Sequence, residues 1–220
     1  MHYGNLQKIR DGKRTYGITP HIPGGFTTPD TLEKIAAVSR KYHGVIKITS
    51  GQRILITNLK EEDLPQIWEE LGMEPAVYSA NSVKNVEMCP AGFCKRSKYN
   101  TISIGMNLSK KYGRQPMPCR TKIGVAGCRN ACGSVYSKDV GVIADVTGFL
   151  IVAGGSSGYN PRIADIIAKD LEKDVAMKLV DSIFEYYQEE GQVGEKISFM
   201  IERLGLEAFK TEVLKRSNII

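Results

Sequence analysis

The chain has 220 residues, 42% of them hydrophobic and 25% charged, which is enough apolar content for one sizeable core or two small ones and rules out a disordered or fibrous chain. Its 30 Lys and Arg against 24 Asp and Glu give a net charge of +6, a balance that suits anionic ligands and is too diffuse to imply nucleic acid. The apolar run Phe149–Ala153 is far shorter than the ~20 residues of a membrane helix, and the polar, basic start is no secretory signal, so a cytoplasmic protein with no membrane partner is expected.

In chain order, residues 18–75 read as a compact α+β unit. Thr28 before Pro29 and Asp30 is a helix start, with Thr as N-cap and Pro at the first helical position. Leu32, Ile35, Ala36 and Val38 give that helix an apolar stripe up to Tyr42. Strands are predicted at Val45–Thr49 and Arg53–Thr57 around a Ser50-Gly51 turn. A second helix over about 62–71 carries Leu64, Ile67, Trp68 and Leu71 on one face, with Gly72 beyond it. Helix, two strands and helix together suggest a split ferredoxin-like half-domain.

From residue 83 the composition changes to short strand-like pieces rich in Gly, Pro and Cys. Strands are predicted at Lys122–Ala126, Asp139–Val146 and Phe149–Ala153, the last running into Gly154-Gly155-Ser156-Ser157-Gly158. That loop follows a strand but matches neither G-x-x-x-x-G-K-[ST] nor G-x-G-x-x-G, so nucleotide binding fits poorly. The tail is helical over about 174–190, 195–204 and 206–215. Trp68, Tyr186 and Tyr187 lie on helix stripes and are expected in the core. The expected fold is α+β: a half-domain over 1–82, then an α/β domain over 83–220.

All five cysteines lie between Cys89 and Cys132. An odd number without a secretory signal argues against a disulfide framework and for a reducing compartment. The spacing is Cys89-x4-Cys94, then Cys128-x3-Cys132, with Cys119 between. Two short-range thiol pairs from separate loops can hold one soft metal centre. Neither pair has the C-x2-C spacing of a zinc knuckle, and the wider spacing suits an iron–sulfur cubane. Zinc, and buried or catalytic free thiols, stay open on spacing alone.

Lys122-Ile-Gly-Val-Ala-Gly-Cys128-Arg-Asn-Ala-Cys132 resembles the K-[IF]-x-[VI]-[SA]-G-C-x-N-x-C signature of siroheme-dependent sulfite and nitrite reductases. Asn85-Val-Glu-Met-Cys89-Pro-Ala-Gly-Phe-Cys94 resembles the N-V-x-x-C-P-G-x-x-x-C segment of that family. His21-Ile-Pro-Gly-Gly25 and Ile46-Lys-Ile-Thr-Ser-Gly-Gln52 resemble its R-x-P-G-G and I-R-L-T-x-R-Q segments. The resemblance covers roughly residues 15–210. The chain has x4 in the first cysteine pair where the family usually has x5. It has Arg129 where Pro is common, and His21 and Gly51 where Arg is common.

The resemblance implies a [4Fe–4S] cluster on Cys89, Cys94, Cys128 and Cys132, with Cys132 also bridging to siroheme iron. It implies reduction of sulfite or nitrite, with electrons from a separate donor protein, since no flavin or nicotinamide motif is present. Lys122, Arg120 and Lys84 match basic positions that meet substrate or cofactor carboxylates, and His21 is a candidate proton donor. Asn130, Arg129, Gly154, Gly155, Ser156, Arg162 and Gln52 are the remaining candidate cofactor contacts. Solvated surface charge and ordinary turns are the plain alternatives for these residues. Larger members carry two copies of this arrangement in one chain, so a homodimer is expected to rebuild it here. The competing function is an iron–sulfur electron-transfer or redox-sensing protein without siroheme.

Overall fold

The computed structural model describes residues 3–9 and 12–220 and divides into two compact units, Met1–Tyr78 and Ser79–Ile220. The sequence put this division after residue 82. Ser82 instead joins the second unit, where its carbonyl accepts the Thr121 N–H at 3.1 Å and its backbone bridges to Pro116.

The first unit carries an antiparallel sheet of β1 (Asn5–Leu6), β2 (Tyr16–Ile18), β3 (Val45–Ile48) and β4 (Ile54–Leu59) in the order β1-β2-β4-β3. Helix α1 (Pro29–Lys41) starts as expected, with the Thr28 hydroxyl accepting the Thr31 N–H at 3.3 Å. Helix α2 (Leu64–Leu71) ends at Gly72, whose φ of 56° continues into a turn that a Cβ would strain. Ile35 and Val38 from α1 pack with Leu64, Ile67 and Leu71 from α2 against Ile18, Ile56 and Leu59 of the sheet. This is the predicted helix–strand–strand–helix pattern, extended by β1 and β2.

The second unit is built on a five-stranded sheet whose strands follow chain order: β5 (Val83–Met88), β6 (Thr121–Ala126), β7 (Val140–Asp145), β8 (Gly148–Ala153) and β9 (Asp165–Leu171). The β5–β6 and β6–β7 pairings are parallel and the last two antiparallel. A parallel pair needs a crossover, and α3 (Ile102–Tyr112) supplies the one between β5 and β6. Helices α4 (Lys173–Glu190), α5 (Ile197–Leu204) and α6 (Leu206–Arg216) complete the unit. Helix α4 buries Ala176, Leu179, Val180, Ile183, Phe184 and Tyr187, the face read from its periodicity, and it packs on β8 and α6.

In the second unit three elements were not foreseen individually, β5, α3 and β9. In α3, Ser103, Gly105, Asn107 and Ser109 dilute the helical signal. Gly105 is there for packing, because a Cβ on it would lie 2.7 Å from the Met88 sulfur of β5. Strand β9 is a sheet edge, mostly exposed or half-buried, and its pairing with β8 shifts register twice, so it lacks a clean two-residue alternation.

Because β5, β6 and β7 run parallel, the second unit has two chemically distinct sheet edges. Met88, Ala126 and Asp145 end their strands at the carboxyl edge. Val83, Thr121 and Val140 begin theirs at the amino edge. Strand β8 runs back, so Ala153 pairs with Val140 and the glycine-rich loop also emerges at the amino edge.

Candidate functional site

The two cysteine segments leave the carboxyl ends of adjacent parallel strands, a position where open α/β sheets commonly bind ligands. The register Met88↔Val125 sets Cys89 beside the end of β6, and the Cys89 N–H donates to the Val125 carbonyl at 3.0 Å. Gly127 ties the segments together. Its N–H points at Cys89 Sγ, 3.1 Å away, and its carbonyl accepts the Lys98 N–H at 2.6 Å and the Ser97 hydroxyl at 3.2 Å. A Cβ on Gly127 would fall 2.1 Å from Ser97 Oγ and 2.7 Å from the Ala91 Cβ. Only glycine permits this approach. After Cys128, the Ala131 N–H returns to the Cys128 carbonyl at 3.1 Å, and Asn130 Nδ2 donates to Cys132 Sγ at 2.9 Å. Cys89 and Cys128 are half-buried and Cys94 and Cys132 exposed, all as free thiols.

These residues fit an iron–sulfur cluster. Two of the four sulfurs already accept N–H donors, the kind of hydrogen bond that tunes cluster potentials. A zinc site draws its ligands to ~2.0–2.3 Å from one ion, whereas among the described residues no three His, Cys, Asp or Glu side chains converge on a single-ion position. A cubane does not require that, since each thiolate binds a different iron corner. Cys119 stands apart, before the amino end of β6, where its carbonyl accepts the Thr121 hydroxyl at 2.9 Å.

Arg129 also lies at the carboxyl edge, where its guanidinium pairs with Asp145 at 3.2 Å. The predicted cations Arg120 and Lys122 lie at the amino edge, and Lys84, near the start of β5, donates to the Ser79 carbonyl at 2.5 Å. Arg120 and Lys122 line a pocket of about 270 Å³ with Ser137, Asp139, Ser157, Gly158 and Lys196. Gly154 has φ 80°, and its N–H donates to the Asp139 carbonyl at 2.8 Å. A Cβ on Gly155 would lie 2.4 Å from the Tyr136 carbonyl oxygen. Ser156 and Arg162 exchange two backbone hydrogen bonds of 2.9 Å. The Arg162 side chain is engaged with the Gly154 carbonyl, Asp165 and Glu202, so it holds the loop in shape rather than presenting a free cation.

The predicted cofactor contacts and the candidate proton donor His21 therefore form three groups. Cys132, Asn130 and Arg129 sit with the cysteine loops. Gly154, Gly155, Ser156 and Arg162 sit with the cations. His21 and Gln52 are in the first unit, where the Pro23–Gly25 turn brings Gly25 against Gln52: a Cβ on Gly25 would lie 3.1 Å from that of Gln52. The His21 N–H donates to the Glu74 carbonyl at 2.7 Å. A cavity of the first unit, about 770 Å³, includes neither His21 nor Gln52 and mixes Lys13, Arg14 and Lys60 with Glu61, Glu62 and Asp63.

Sequence reading missed the buried polar contacts of the second unit, one of which runs from Lys138, just before β7, to Glu87, near the end of β5. Lys138 Nζ and Glu87 Oε2 form a buried ion pair at 2.6 Å, and leaving either charge alone there costs about 3–5 kcal/mol. The buried Asp139 accepts the Lys122 N–H on Oδ2 at 2.8 Å and faces Lys196 Nζ across 3.6 Å from Oδ1. Burial pushes the Asp139 carboxyl above the usual carboxylate range, against the pull of Lys196 and the Lys122 N–H. Burial, then the charges of Lys138 and Arg120, lower Lys122 below the ordinary lysine value. A signal for Lys138 and Asp139 existed: two charged residues next to an apolar strand, Val140-Gly-Val-Ile. Lys196 had none, being distant in sequence.

Comparison with known proteins identifies the family of both units. Residues 79–220 match the family model described as "Nitrite and sulphite reductase 4Fe-4S domain", and residues 7–74 match "Nitrite/Sulfite reductase ferredoxin-like half domain". An assimilatory-type sulfite reductase of Nitratidesulfovibrio vulgaris is 35% identical over 208 residues, covering 94% of this chain and 95% of that protein. A nitrite reductase [NAD(P)H] of Bacillus subtilis is 33% identical over 94% of this chain, which spans only 25% of that longer protein. The crystal structure of dissimilatory sulfite reductase I and the structure of Mycobacterium tuberculosis NirA share the fold, each with a TM-score of 0.80, at 14% and 16% identity. They cover 93% and 94% of this chain, which spans 69% and 41% of theirs. With both domain models matched in order and a full-length relative of nearly the same extent, the chain belongs to the nitrite and sulfite reductase family.

Proposed function

We propose that the chain is a siroheme- and [4Fe–4S]-dependent reductase of a small oxyanion, sulfite (to sulfide) or nitrite (to ammonia), fed electrons by a separate donor protein in the reducing cytoplasm. The observation that carries this reading is the pair of cysteine loops cross-tied through Gly127 at one sheet edge, with a cation-lined pocket at the other. Cys89, Cys94, Cys128 and Cys132 would hold the cluster, and exposed Cys132 would also serve the siroheme. When bound, the two groups supply stored electrons beside a substrate-binding metal. Arg120, Lys122 and Lys84 neutralise the oxyanion and the charge that develops as oxygen leaves as water. Lys122 is suited to give up a proton, because burial and its cationic neighbours weaken its hold on it. Arg162 shapes the 154–156 loop, whose backbone would meet siroheme carboxylates.

The placement of these groups favours a homodimer. Lys122 and Cys128 are six residues apart along and just beyond β6, about 20 Å at 3.3 Å per residue. One chain's cations therefore stand a strand length from its own cluster ligands. A two-fold pair makes two sites at once, each combining one copy's cluster with the partner's cations.

The visible spectrum of anaerobically purified protein, with iron and sulfide counts, tests the reading. Siroheme adds Soret and long-wavelength bands to the cluster absorption. A broad blue shoulder alone, with iron and sulfide present, would establish the electron-transfer alternative. A colourless protein would exclude both.

A further inference from the structure

We propose that Lys196 is a third cation contacting the oxyanion in the amino-edge pocket, that buried Asp139 is the residue positioning it, and that this third charge selects a dianion over a monoanion. The proposal deepens the reductase reading and rests on it for the identity of the substrate. Lys196 caps the start of α5 and reaches the same pocket of about 270 Å³ as Arg120 and Lys122. These three cations come from two segments far apart in sequence, and Asp139 links them. One carboxylate oxygen holds the backbone of Lys122, and the other faces the Lys196 ammonium.

The contact between Lys196 and Asp139 is loose. At 3.6 Å it is well beyond the ~2.7–2.9 Å of a charge-assisted hydrogen bond, so the ammonium keeps donors for another acceptor. Its side chain is 30% exposed, against 3% for Asp139, so an anion can reach the lysine while the carboxylate lies beneath. Three cations less one carboxylate, 3 − 1 = 2, leave the lining with an excess of two positive charges. Lys138 adds nothing to that excess, since Glu87 neutralises it. An excess of two matches sulfite as a dianion better than nitrite as a monoanion. It also explains why these cations are tolerated together: an anion relieves the repulsion among them.

The test uses the full-length protein as purified, titrated with sodium sulfite and with sodium nitrite at matched ionic strength, following thermal unfolding. A ligand that binds the folded state raises the midpoint in proportion to its affinity. Lys196→Met keeps the aliphatic stem and removes the charge. It is expected to weaken sulfite binding roughly ten- to a hundredfold, as for one lost charged hydrogen bond. Nitrite binding should fall less, and Lys196→Arg should retain both. If Lys196→Met does not fold, Lys196→Gln gives the same reading. Sulfite binding unchanged in the neutral variant overturns the proposal. So does unchanged sulfite binding with reduced siroheme content, which would assign Lys196 to a cofactor carboxylate. Turnover of sulfite and nitrite by the wild type, with a reduced dye as donor, keeps the two ideas separable. A wild type that reduces neither anion, while Lys196→Met has lost sulfite binding, removes the reductase reading and leaves the pocket standing.

Discussion

Cys119 precedes β6 and Cys128 follows it, so a full strand separates the thiol expected to be no ligand from one expected to hold the cluster. Cys89, Cys94, Cys128 and Cys132 belong to the loops joined by Gly127. Each Cys→Ser change among these four is expected to lose iron and lower the thermal midpoint, since metal binding is coupled to folding. Cys119→Ser should keep its iron and sulfide. Iron analysis of the five purified variants checks this, and loss of iron in Cys119→Ser with retention in Cys94→Ser would move a ligand. Lys122→Ala should lower sulfite or nitrite turnover by ~10²–10³, the usual effect of removing a group that meets transition-state charge, while the cofactor bands stay near normal. Steady-state rates with a reduced dye measure it, and unchanged turnover would return Lys122 to an ordinary half-buried lysine.

At the scale of elements, the sequence was legible where one local signal dominated. The Thr28-Pro29-Asp30 start of α1, the stripe of α4 and the apolar strands β6 to β8 all appear as read. It was illegible where tertiary contact overrides propensity. Helix α3 contains a glycine because Met88 occupies the space a Cβ would need, and no periodicity reports that. The cysteine spacing pointed to two thiol pairs but not to what joins them. Gly127 does so, within a G-C motif that reads only as a tight turn. Gly127→Ala should force Ser97 and Ala91 apart from β6, with an overpacking cost of about 1–3 kcal/mol and a fall in cluster iron beyond that seen for Gly133→Ala. A Cβ at Gly133 would meet nothing within 4 Å. Metal content and denaturant unfolding of the two variants provide the comparison, and equal loss in both would show that Gly127 is not the tie.

For the whole molecule, the parallel direction of β5, β6 and β7 has a functional consequence that no motif states. It sends the cysteine loops to one edge and Arg120, Lys122 and Lys196 to the other. The motifs identified the parts, and only the strand directions show that one chain does not bring them together along β6. In the proposed homodimer the assembly would be part of the active site, as in an isologous pair. The most direct measurement mixes inactive Cys132→Ala chains with inactive Lys122→Ala chains and assays the demonstrated mixed dimer. With shared sites, one site of each mixed dimer carries both defects and the other carries neither. Random mixing should then restore about a quarter of wild-type activity, half the dimers being mixed and half their sites intact. A monomeric mass for the active protein, or no recovery in a mixed dimer shown to form, would contradict the shared-site arrangement.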